Sequence, residues 1–437
     1  MPKHVVVIGG GIAGLAAAAT LAEQGIQVTL LDAGSQLGGR ARSVAIEFNS
    51  QVHQLDNGQH ILLGAYHETL KLLAKIGVKE QDVLMRVPLM LDVRTENKSA
   101  FRLSAPTFLP APLNQLVGFL FCNSLQWSER ISVIKFILRL KKTNYQLNND
   151  EVLEKFLQKN QQSGNVITLL WEPLCLAALN TPIKIASSKV FLNVLRDTFK
   201  NKHSTDFLLP KRDLSQLFSQ PISSYLNARQ ATVKLNQRVK SITASPNGYM
   251  VSTKEAQYEA SHVIIATSPV RLRNVIADLP KLSFVAEQTK SYAYQPIYTI
   301  YLQYPGSATL SAPMIGLTGG LSQWVFDRGI LCNQSGLMAV IISAEGRHQK
   351  LTQDALALRV AQELQAAFPQ LAKPLWHKVI AEKRATFSCT VNLPRPAHVT
   401  PYPNMFIAGD YTYADYPATI EGAVRSGIYA SNYIINP

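Results

Sequence analysis

Apolar and polar positions alternate in blocks at the start of the chain. Residues 5–8 are four consecutive β-branched residues, which is typical of a strand buried on both faces of a parallel sheet. Residues 15–24 are rich in Ala and Leu and are followed by Gly25, which predicts a helix closed by glycine. Residues 26–31 form a second apolar run that ends at Asp32. The pattern therefore predicts a β–α–β unit.

A glycine fingerprint joins the first strand to this helix in the order Gly9-x-Gly11-x-x-Gly14. Gly9 suits the tight turn out of the strand, Gly11 lets a pyrophosphate approach the backbone, and Gly14 lets the helix pack closely on the strand. The helix N-terminus attracts phosphate through its free N–H groups and its dipole. Asp32 can accept the hydroxyl hydrogens of an adenosine ribose. We therefore predict a Rossmann-type site for the ADP half of a dinucleotide.

The segment after Asp32 favours FAD over NAD. It contains Gly38, Gly39 and Arg40, and this G-G-R sequence resembles that of the large FAD family that includes amine oxidases, protoporphyrinogen oxidase and carotenoid desaturases. The resemblance implies that the two glycines let the chain pass close to the cofactor. It also implies that Arg40 lies near the phosphates, for which a guanidinium is suited by its fixed fork of donors. We expect non-covalently bound FAD.

Two other stretches extend the resemblance. Residues 405–410 have the pattern of a strand that ends at Gly409 and Asp410. The resemblance implies that these two residues contact the ribityl-phosphate chain of the cofactor. It also implies that Val239, the last residue of a predicted strand over residues 233–239, touches the adenine.

A helix is predicted over residues 417–427, with Thr419 as its N-cap and Ile420 next to it. The resemblance implies that the N-terminus of this helix points at the flavin, where its positive dipole end would stabilise an anionic reduced flavin. We expect Gly422 to let the helix pack against the cofactor or the first helix. Glu421 is interpreted as a carboxylate that caps a helix.

These stretches predict an α/β fold. It consists of a Rossmann-type FAD-binding domain, glutathione-reductase-like and of the amine oxidase and phytoene desaturase type, with an inserted α+β substrate domain. We assign residues 1–75, 210–275 and 385–437 to the discontinuous FAD-binding domain, and residues 76–209 and 276–384 to the substrate domain.

Residues 113–142 combine apolar and basic positions. The first part is almost uncharged and contains Phe119, Phe121 and Trp127, whereas the second part has Lys and Arg among Ile, Val, Phe and Leu. This pattern indicates either an interfacial membrane helix or a core helix pair with a solvated basic face. Apart from the stretch at residues 5–22, which the glycine fingerprint explains, no run of about 18 uncharged apolar residues is present, so we predict no transmembrane helix.

Two narrower motifs specify a subfamily. Residues 55–60 (Leu-Asp-Asn-Gly-Gln-His) and residues 171–180 (Trp-Glu-Pro-Leu-Cys-Leu-Ala-Ala-Leu-Asn) resemble the squalene-associated FAD-dependent desaturases, the hydroxysqualene dehydroxylases of bacterial hopanoid synthesis. The resemblance implies reductive removal of an allylic hydroxyl from a long-chain isoprenoid, giving squalene. It also implies squalene-pathway synthases as partners and NAD(P)H as a possible reductant.

That reaction needs a proton for the leaving hydroxyl, and three residues of these motifs are candidates: Asp56, His60 and Glu172. A carboxylic acid in an apolar tunnel is protonated more readily than one in water. Structural interpretations stand beside this one. His60 can be a core histidine, Asp56 a turn residue, and Glu172 a residue that caps a turn.

Other functions on the same fold remain open. A carotenoid-type desaturase would run the chemistry in the oxidative direction. A flavin amine oxidase would often hold its flavin through a cysteine, for which Cys389 is a candidate. A non-catalytic FAD-binding partner of a synthase complex is the last alternative.

The charge balance and the cysteines bear on the partners and the location of the protein. The net charge is +14, from 43 Lys and Arg against 29 Asp and Glu. Such a surface can serve an anionic lipid or an anionic substrate, or can act in solubility alone. Nucleic acid ranks last because no nucleic-acid-binding motif is present. The four cysteines match no metal-site spacing, so we expect no metal site. They are expected to be buried, reduced thiols, which is typical of a cytoplasmic protein. We expect this protein to be peripheral on the inner face of the membrane.

Overall fold

The structure is a computed structural model of the 437-residue chain and describes residues 3–48, 50–95, 98–111 and 113–436. The predicted domain boundaries at residues 1 and 437 lie outside the described residues.

The β-strands in chain order are as follows: β1 His4–Ile8, β2 Gln27–Leu31, β3 Ser43–Phe48, β4 Gln51–Asp56, β5 Leu62–Leu63, β6 Leu84–Val87, β7 Met90–Thr95, β8 Lys98–Ser104, β9 Phe207–Pro210, β10 Thr232–Lys234, β11 Ser241–Ser245, β12 Gly248–Ser252, β13 Gln257–Ala260, β14 His262–Ile265, β15 Tyr294–Gln303, β16 Met314–Leu317, β17 Trp324–Asp327, β18 Leu337–Ser343, β19 Trp376–Phe387 and β20 Met405–Ile407.

The α-helices in chain order are as follows: α1 Ile12–Glu23, α2 His67–Lys75, α3 Glu80–Val83, α4 Leu113–Leu120, α5 Trp127–Lys142, α6 Leu153–Lys159, α7 Gly164–Val166, α8 Glu172–Leu179, α9 Ser188–Thr198, α10 Gln220–Ala228, α11 Pro269–Val275, α12 Ser283–Lys290, α13 Arg328–Cys332, α14 Gln353–Ala367 and α15 Ile420–Ile435. Residues 167–171 and 215–219 form π-helical turns, and residues 203–205, 280–282 and 347–350 form 3₁₀ turns.

A five-stranded parallel sheet carries the glycine fingerprint, in the order β10-β2-β1-β14-β20. The central strand β1 is flanked by β2 and β14, so Val6 lies between Thr29 and Val263. The predicted β–α–β unit is confirmed. The predicted strand over residues 233–239 is shorter than expected, because β10 ends at Lys234 and Val239 lies in the following loop. The strand predicted ahead of Gly409 is confirmed as β20.

Helix α15 crosses helix α1 on one face of this sheet at very short range. A Cβ atom on Gly427 would lie 2.2 Å from the carbonyl oxygen of Ala13, so only glycine fits there. Of the two roles expected for Gly422, packing against the first helix is wrong, since the neighbours of Gly422 are Pro417, Thr419 and Tyr416. Packing against the cofactor stays a prediction. The crossing brings the N-terminal regions of both helices to the same cavity.

A second, seven-stranded sheet lies opposite, in the order β19-β15-β18-β17-β16-β7-β8. Its strands come mostly from the inserted part of the chain, and α14 packs on its outer side through apolar residues such as Leu356, Val360 and Leu364. On the other side, strand pairing places Glu382 beside Ile297, and Ile297 beside Ser343. This row faces the cavity described below.

Residues 113–142 form two helices rather than one. In α5, Val133, Phe136, Ile137 and Leu140 are buried in the core. The opposite face is exposed. It carries the apolar and basic side chains of Trp127, Ile131, Lys135, Leu138 and Lys142 at helical spacing. The buried face agrees with the interpretation of a core helix pair, and the interfacial membrane role stays a prediction. No helix in the described part of the chain is long and apolar enough to cross a bilayer.

Candidate functional site: a dinucleotide cradle joined to an apolar cavity

A cavity of about 730 Å³ lies between the parallel sheet and the seven-stranded sheet. One end is lined by the fingerprint loop and the segments after β2, β14 and β20. The other end is lined by the loop after β4, by helix α8 and by strands β15, β17, β18 and β19. The predicted cofactor residues that line it are Gly9, Gly11, Asp32, Gly38, Gly39, Arg40, Val239, Gly409, Asp410, Thr419 and Ile420.

The fingerprint loop leaves its backbone open to the cavity. Gly9 has a φ of +113°, a conformation that favours glycine. Gly11 is the N-cap of α1, contributes no side-chain cap, and has no atom within 4 Å of the place where a Cβ would stand. The first N–H groups of α1 are therefore free to bind an anion.

Gly14 has the packing role that the fingerprint predicts and does not line the cavity. A Cβ there would lie 1.8 Å from the carbonyl oxygen of Gly9 and 3.2 Å from the Cβ of Ala266 on the neighbouring strand end. Gly14 therefore sets the distance between α1 and the sheet.

The Asp32 carboxylate lines the cavity and is fixed by two backbone donors. Its oxygens accept hydrogen bonds from the N–H groups of Gly10 at 2.5 Å and Gly34 at 2.6 Å. Each carboxylate oxygen retains acceptor capacity for a ribose hydroxyl. The position fits the role predicted from the sequence.

Arg40 bridges two parts of the protein. Its guanidinium donates to the Asp410 carboxylate at 2.6 Å and to the Ala385 carbonyl at 2.6 Å. Burial lowers the pKa of Arg40, but the charges of Asp410 and Glu382 outweigh this and raise it above the usual value. The guanidinium thus ties the G-G-R segment to the end of β20, a contact that the expected phosphate role did not include.

The N-terminus of α15 forms the far wall of the cradle. The Thr419 hydroxyl accepts the Gly422 N–H at 3.1 Å, which confirms the predicted N-cap. Glu421 is fully buried and caps a different helix from the one expected. Its carboxylate accepts the N–H groups of Glu68 and Thr69 at the start of α2, at 3.1 and 2.9 Å.

Asp56 does not line the cavity, contrary to its predicted catalytic role. Its carboxylate accepts the Leu214 N–H at 2.7 Å and pairs with Arg328 at 3.1 Å, with both side chains buried. Burial raises the pKa of Asp56, and the Arg328 guanidinium opposes that rise. Arg328 also donates to Gln59 at 2.6 Å, so the pair holds the loop that follows β4.

His60 lines the cavity but is a poor proton donor. Its Nδ1 lies 2.6 Å from the Gly58 carbonyl, which only accepts, so Nδ1 holds the proton of the neutral ring. Burial and the nearby Arg40 charge lower the pKa of His60, while Gly58 and Asp56 oppose the change. The ring is therefore neutral at pH 7.

Glu172 begins helix α8 and does not line the cavity. The residues of that helix that do are the last turn and its left-handed C-cap, Leu176 to Asn180. Burial raises the pKa of Glu172, with Lys184 opposing. Its predicted catalytic role finds no support in this placement.

Asn57 and Glu382 are among the polar cavity residues that sequence reasoning missed. Asn57 belongs to the loop after β4, and its amide nitrogen donates to Glu382 at 3.3 Å and to the Arg40 carbonyl at 3.3 Å. Glu382 belongs to β19 in a basic-looking stretch, Glu-Lys-Arg, where it gives no motif signal. Asn57 lay inside the recognised motif, between the residues that were chosen.

Cys389, the candidate for covalent flavin attachment, is fully buried outside the cavity lining. Its sulfur lies 3.5 Å from the Arg395 guanidinium, and burial raises the thiol pKa to about 11. Cys122 and Cys175 are also buried, and Cys332 is half-buried. The cavity therefore offers no thiol for attachment among its described lining residues.

The cradle fits a dinucleotide cofactor. The place where a Cβ of Gly11 would stand is open space, and beside it α1 presents N–H groups that no side chain caps. Thr267 lines the same end of the cavity, and its buried hydroxyl has no hydrogen-bond partner among the described residues. A buried polar group of this kind needs a partner, and a bound phosphate or ribose would supply one.

Sequence comparison assigns the class. A family described as flavin containing amine oxidoreductase matches residues 12–435, so the chain belongs to this family. It is an FAD-dependent oxidoreductase, as predicted. Cyclohexylamine oxidase from Brevibacterium oxydans shares the fold, with a TM-score of 0.71 at 17% identity over 99% of both chains.

Individual relatives are more specific. The chain is 27% identical to hydroxysqualene dehydroxylase from Zymomonas mobilis over 98% of both chains. It is 28% identical to the protein of that name from Rhodopseudomonas palustris, over 100% of this chain and 99% of the relative. It is 24% identical to the 15-cis-phytoene desaturase of Arabidopsis thaliana, over 99% of this chain and 80% of the relative.

Proposed function

We propose that this chain reductively removes the hydroxyl group of hydroxysqualene to form squalene. The observation that carries the proposal is the continuity of the dinucleotide cradle with an apolar wall in one cavity. The apolar residues of that wall are Ile61, Leu176, Ala177, Leu179, Ile297, Trp324, Phe326 and Ile341.

The chemistry makes two demands that such a wall serves. Loss of an allylic hydroxyl leaves a cation that water would recapture, so the site must exclude water. The carbon also needs a hydride, which a reduced flavin supplies when bound. Gly11, Asp32, Thr267 and the α15 N-terminus would hold FAD at one end, and the apolar wall would accept hydrocarbon at the other.

Full-length similarity to proteins named hydroxysqualene dehydroxylase supports this substrate over others. The phytoene and zeta-carotene desaturases, at 22–24% identity, keep a second candidate open. A desaturase would use the same apolar wall with oxidised flavin and a saturated substrate.

The reductant and pathway are part of the proposal. The sequence holds no second dinucleotide fingerprint, so NAD(P)H would reach the flavin transiently rather than from a dedicated domain. The product would enter hopanoid or other isoprenoid synthesis, with squalene-pathway synthases as neighbours in the cell.

We also propose that the chain works on the inner face of the cytoplasmic membrane, where its substrate dissolves. The exposed face of α5, defined above, joins apolar and basic side chains. Arg130 links it to the end of α4 by donating to the Leu120 and Leu125 carbonyls, beside Phe121, which is 70% exposed. Such a surface suits anionic lipid.

An anaerobic reaction tests the proposal. The purified yellow protein is chemically reduced and mixed with hydroxysqualene, while flavin absorbance is followed and products are extracted. Reoxidation with the appearance of squalene supports it. No reoxidation, with oxidised protein instead bleached by a saturated isoprenoid, refutes it in favour of the desaturase. Flavin that responds to neither indicates a non-catalytic binding partner.

A further inference from the structure

Glu382 is a carboxyl of the cavity wall. It lies on β19, with Ile297 of β15 directly opposite and Ser343 of β18 next in the same row. All three line the cavity, so the Glu382 carboxyl stands in a wall that is otherwise largely apolar. A carboxyl here is close to the substrate end rather than to the adenosine end.

Three acidic residues line the described part of the cavity, and two of them are held in hydrogen bonds or an ion pair with other parts of the protein. Asp32 is bonded to the backbone of the fingerprint region. Asp410 is paired with Arg40 at 2.6 Å. Glu382 forms no ion pair within the described residues, where its hydrogen bonds are to Asn57 and to the Arg384 N–H at 3.4 Å.

Asn57 orients this carboxyl. Its amide nitrogen donates to Glu382 Oε2 at 3.3 Å and to the Arg40 carbonyl at 3.3 Å. The loop that carries Asn57 is itself fixed by the buried pair of Asp56 and Arg328. The loop and its supports therefore hold one carboxyl at a defined place in the wall.

We propose that Glu382 is the catalytic acid that protonates the leaving hydroxyl. The inference rests on the proposed function. The carbon–oxygen bond of the substrate breaks, and the oxygen leaves as water with the Glu382 proton. The carbon gains a hydride whose two electrons the proposed function assigns to reduced flavin. Glu382 is then reprotonated from solvent.

The wall places the substrate beside this carboxyl. A hydrocarbon chain bound along the row of Glu382, Ile297 and Ser343 excludes water from the site and brings the allylic hydroxyl to Glu382. His60 lines the same cavity, but its Nδ1 proton is directed to the Gly58 carbonyl.

Glu382→Gln tests this, because glutamine keeps the shape and can still accept from Asn57. We expect hydroxysqualene-driven flavin reoxidation to fall by roughly 10²–10⁴-fold, the usual contribution of a general acid. Flavin content should be unchanged. The matched control is Glu287→Gln, which removes a carboxylate whose side chain is 73% exposed.

The acetate ester of hydroxysqualene separates an acid from a structural residue. Its leaving group departs as a stable anion and needs little protonation, so the Glu382→Gln protein should turn it over within about threefold of the unsubstituted chain, far less than a general acid contributes. Equal loss with both substrates, or no loss with either, would overturn the role of Glu382. Failure of the unsubstituted chain with hydroxysqualene would instead overturn the proposed function.

Discussion

Asp56 and Arg328 are 272 residues apart in sequence and form an ion pair in which each side chain is only 1% exposed. The pair also reaches Gln59 and the backbone of Leu214, so it joins the loop after β4 to the start of α13 and to the segment before the π-helical turn at residues 215–219. The ion pair therefore holds the D-N-G-Q-H motif in place as one wall of the cavity. Asn57 lines the cavity, and Asp56 does not.

Arg328→Met should destabilise the protein strongly, because it leaves the Asp56 carboxylate buried without its partner. We expect the free energy of unfolding in urea to fall by about 3–5 kcal/mol. The Asp56→Asn, Arg328→Met double variant should regain part of this, since asparagine is uncharged and still accepts from Leu214. A double variant no more stable than the single one would contradict the argument.

Gly11→Ala should leave the apoprotein stable and impair FAD binding, because its Cβ meets no protein atom and projects into the cradle. Gly427→Ala should do the reverse. Its Cβ would clash with the Ala13 carbonyl, so the apoprotein should lose about 1–3 kcal/mol of stability. The flavin content of both purified variants and the urea unfolding midpoints of both apoproteins check this. Equal changes of flavin content and of midpoint in the two variants would contradict these roles.

Asp32→Ala should weaken FAD binding by about 10- to 100-fold, as expected for loss of a charged acceptor of hydrogen bonds. Titration of apoprotein with FAD, followed by flavin fluorescence, measures the change. The control is Asp278→Ala, an exposed aspartate at the end of the α11 region. Unchanged affinity in the Asp32 variant would remove the ribose role.

His398 should make the fold sensitive to acid. Burial lowers its pKa to about 4, and its Nε2 lies 3.2 Å from the Ser426 hydroxyl. The unfolded chain binds a proton below about pH 6.5 and the folded chain does not, so stability falls as pH drops from there towards 4. The loss should reach roughly 2 kcal/mol at pH 5. His398→Gln should flatten this part of the stability profile, and an unchanged profile would contradict the assignment.

Trp127→Gln together with Ile131→Gln should reduce co-sedimentation with anionic liposomes by tenfold or more, since each buried apolar side chain contributes about 1.5–3 kcal/mol. Lys135→Gln with Lys142→Gln should reduce it only on anionic vesicles. Leu358→Gln is the matched control, because Leu358 is 63% exposed on α14, outside this face. Sedimentation of the Trp127 and Ile131 variant equal to that of the control would refute membrane docking.

Local features were predictable because their causes lie within a few residues. The β–α–β unit, the packing role of Gly14 and the Thr419 cap each follow from short-range backbone geometry. The family resemblance then extended the fold assignment to the whole chain.

Contacts between distant segments were not predictable in the same way. Asn57 meets Glu382 across 325 residues, and Arg40 meets Asp410 across 370. Nothing in the local pattern around Glu382 marks it as a cavity residue, because it directly precedes two exposed basic residues, Lys383 and Arg384. Asp56 was a candidate acid because of its residue type. Only the fold shows that its carboxylate is already paired with Arg328 and hydrogen-bonded to Leu214.

The pairing of α15 with α1 has a consequence for synthesis. Strand β1 and helix α1 are translated some four hundred residues before β20 and α15, which complete the sheet and the cradle. The apolar face of α1 that packs against Gly427 therefore has no partner until α15 has been made, and the cofactor cradle cannot form from the first β–α–β unit alone.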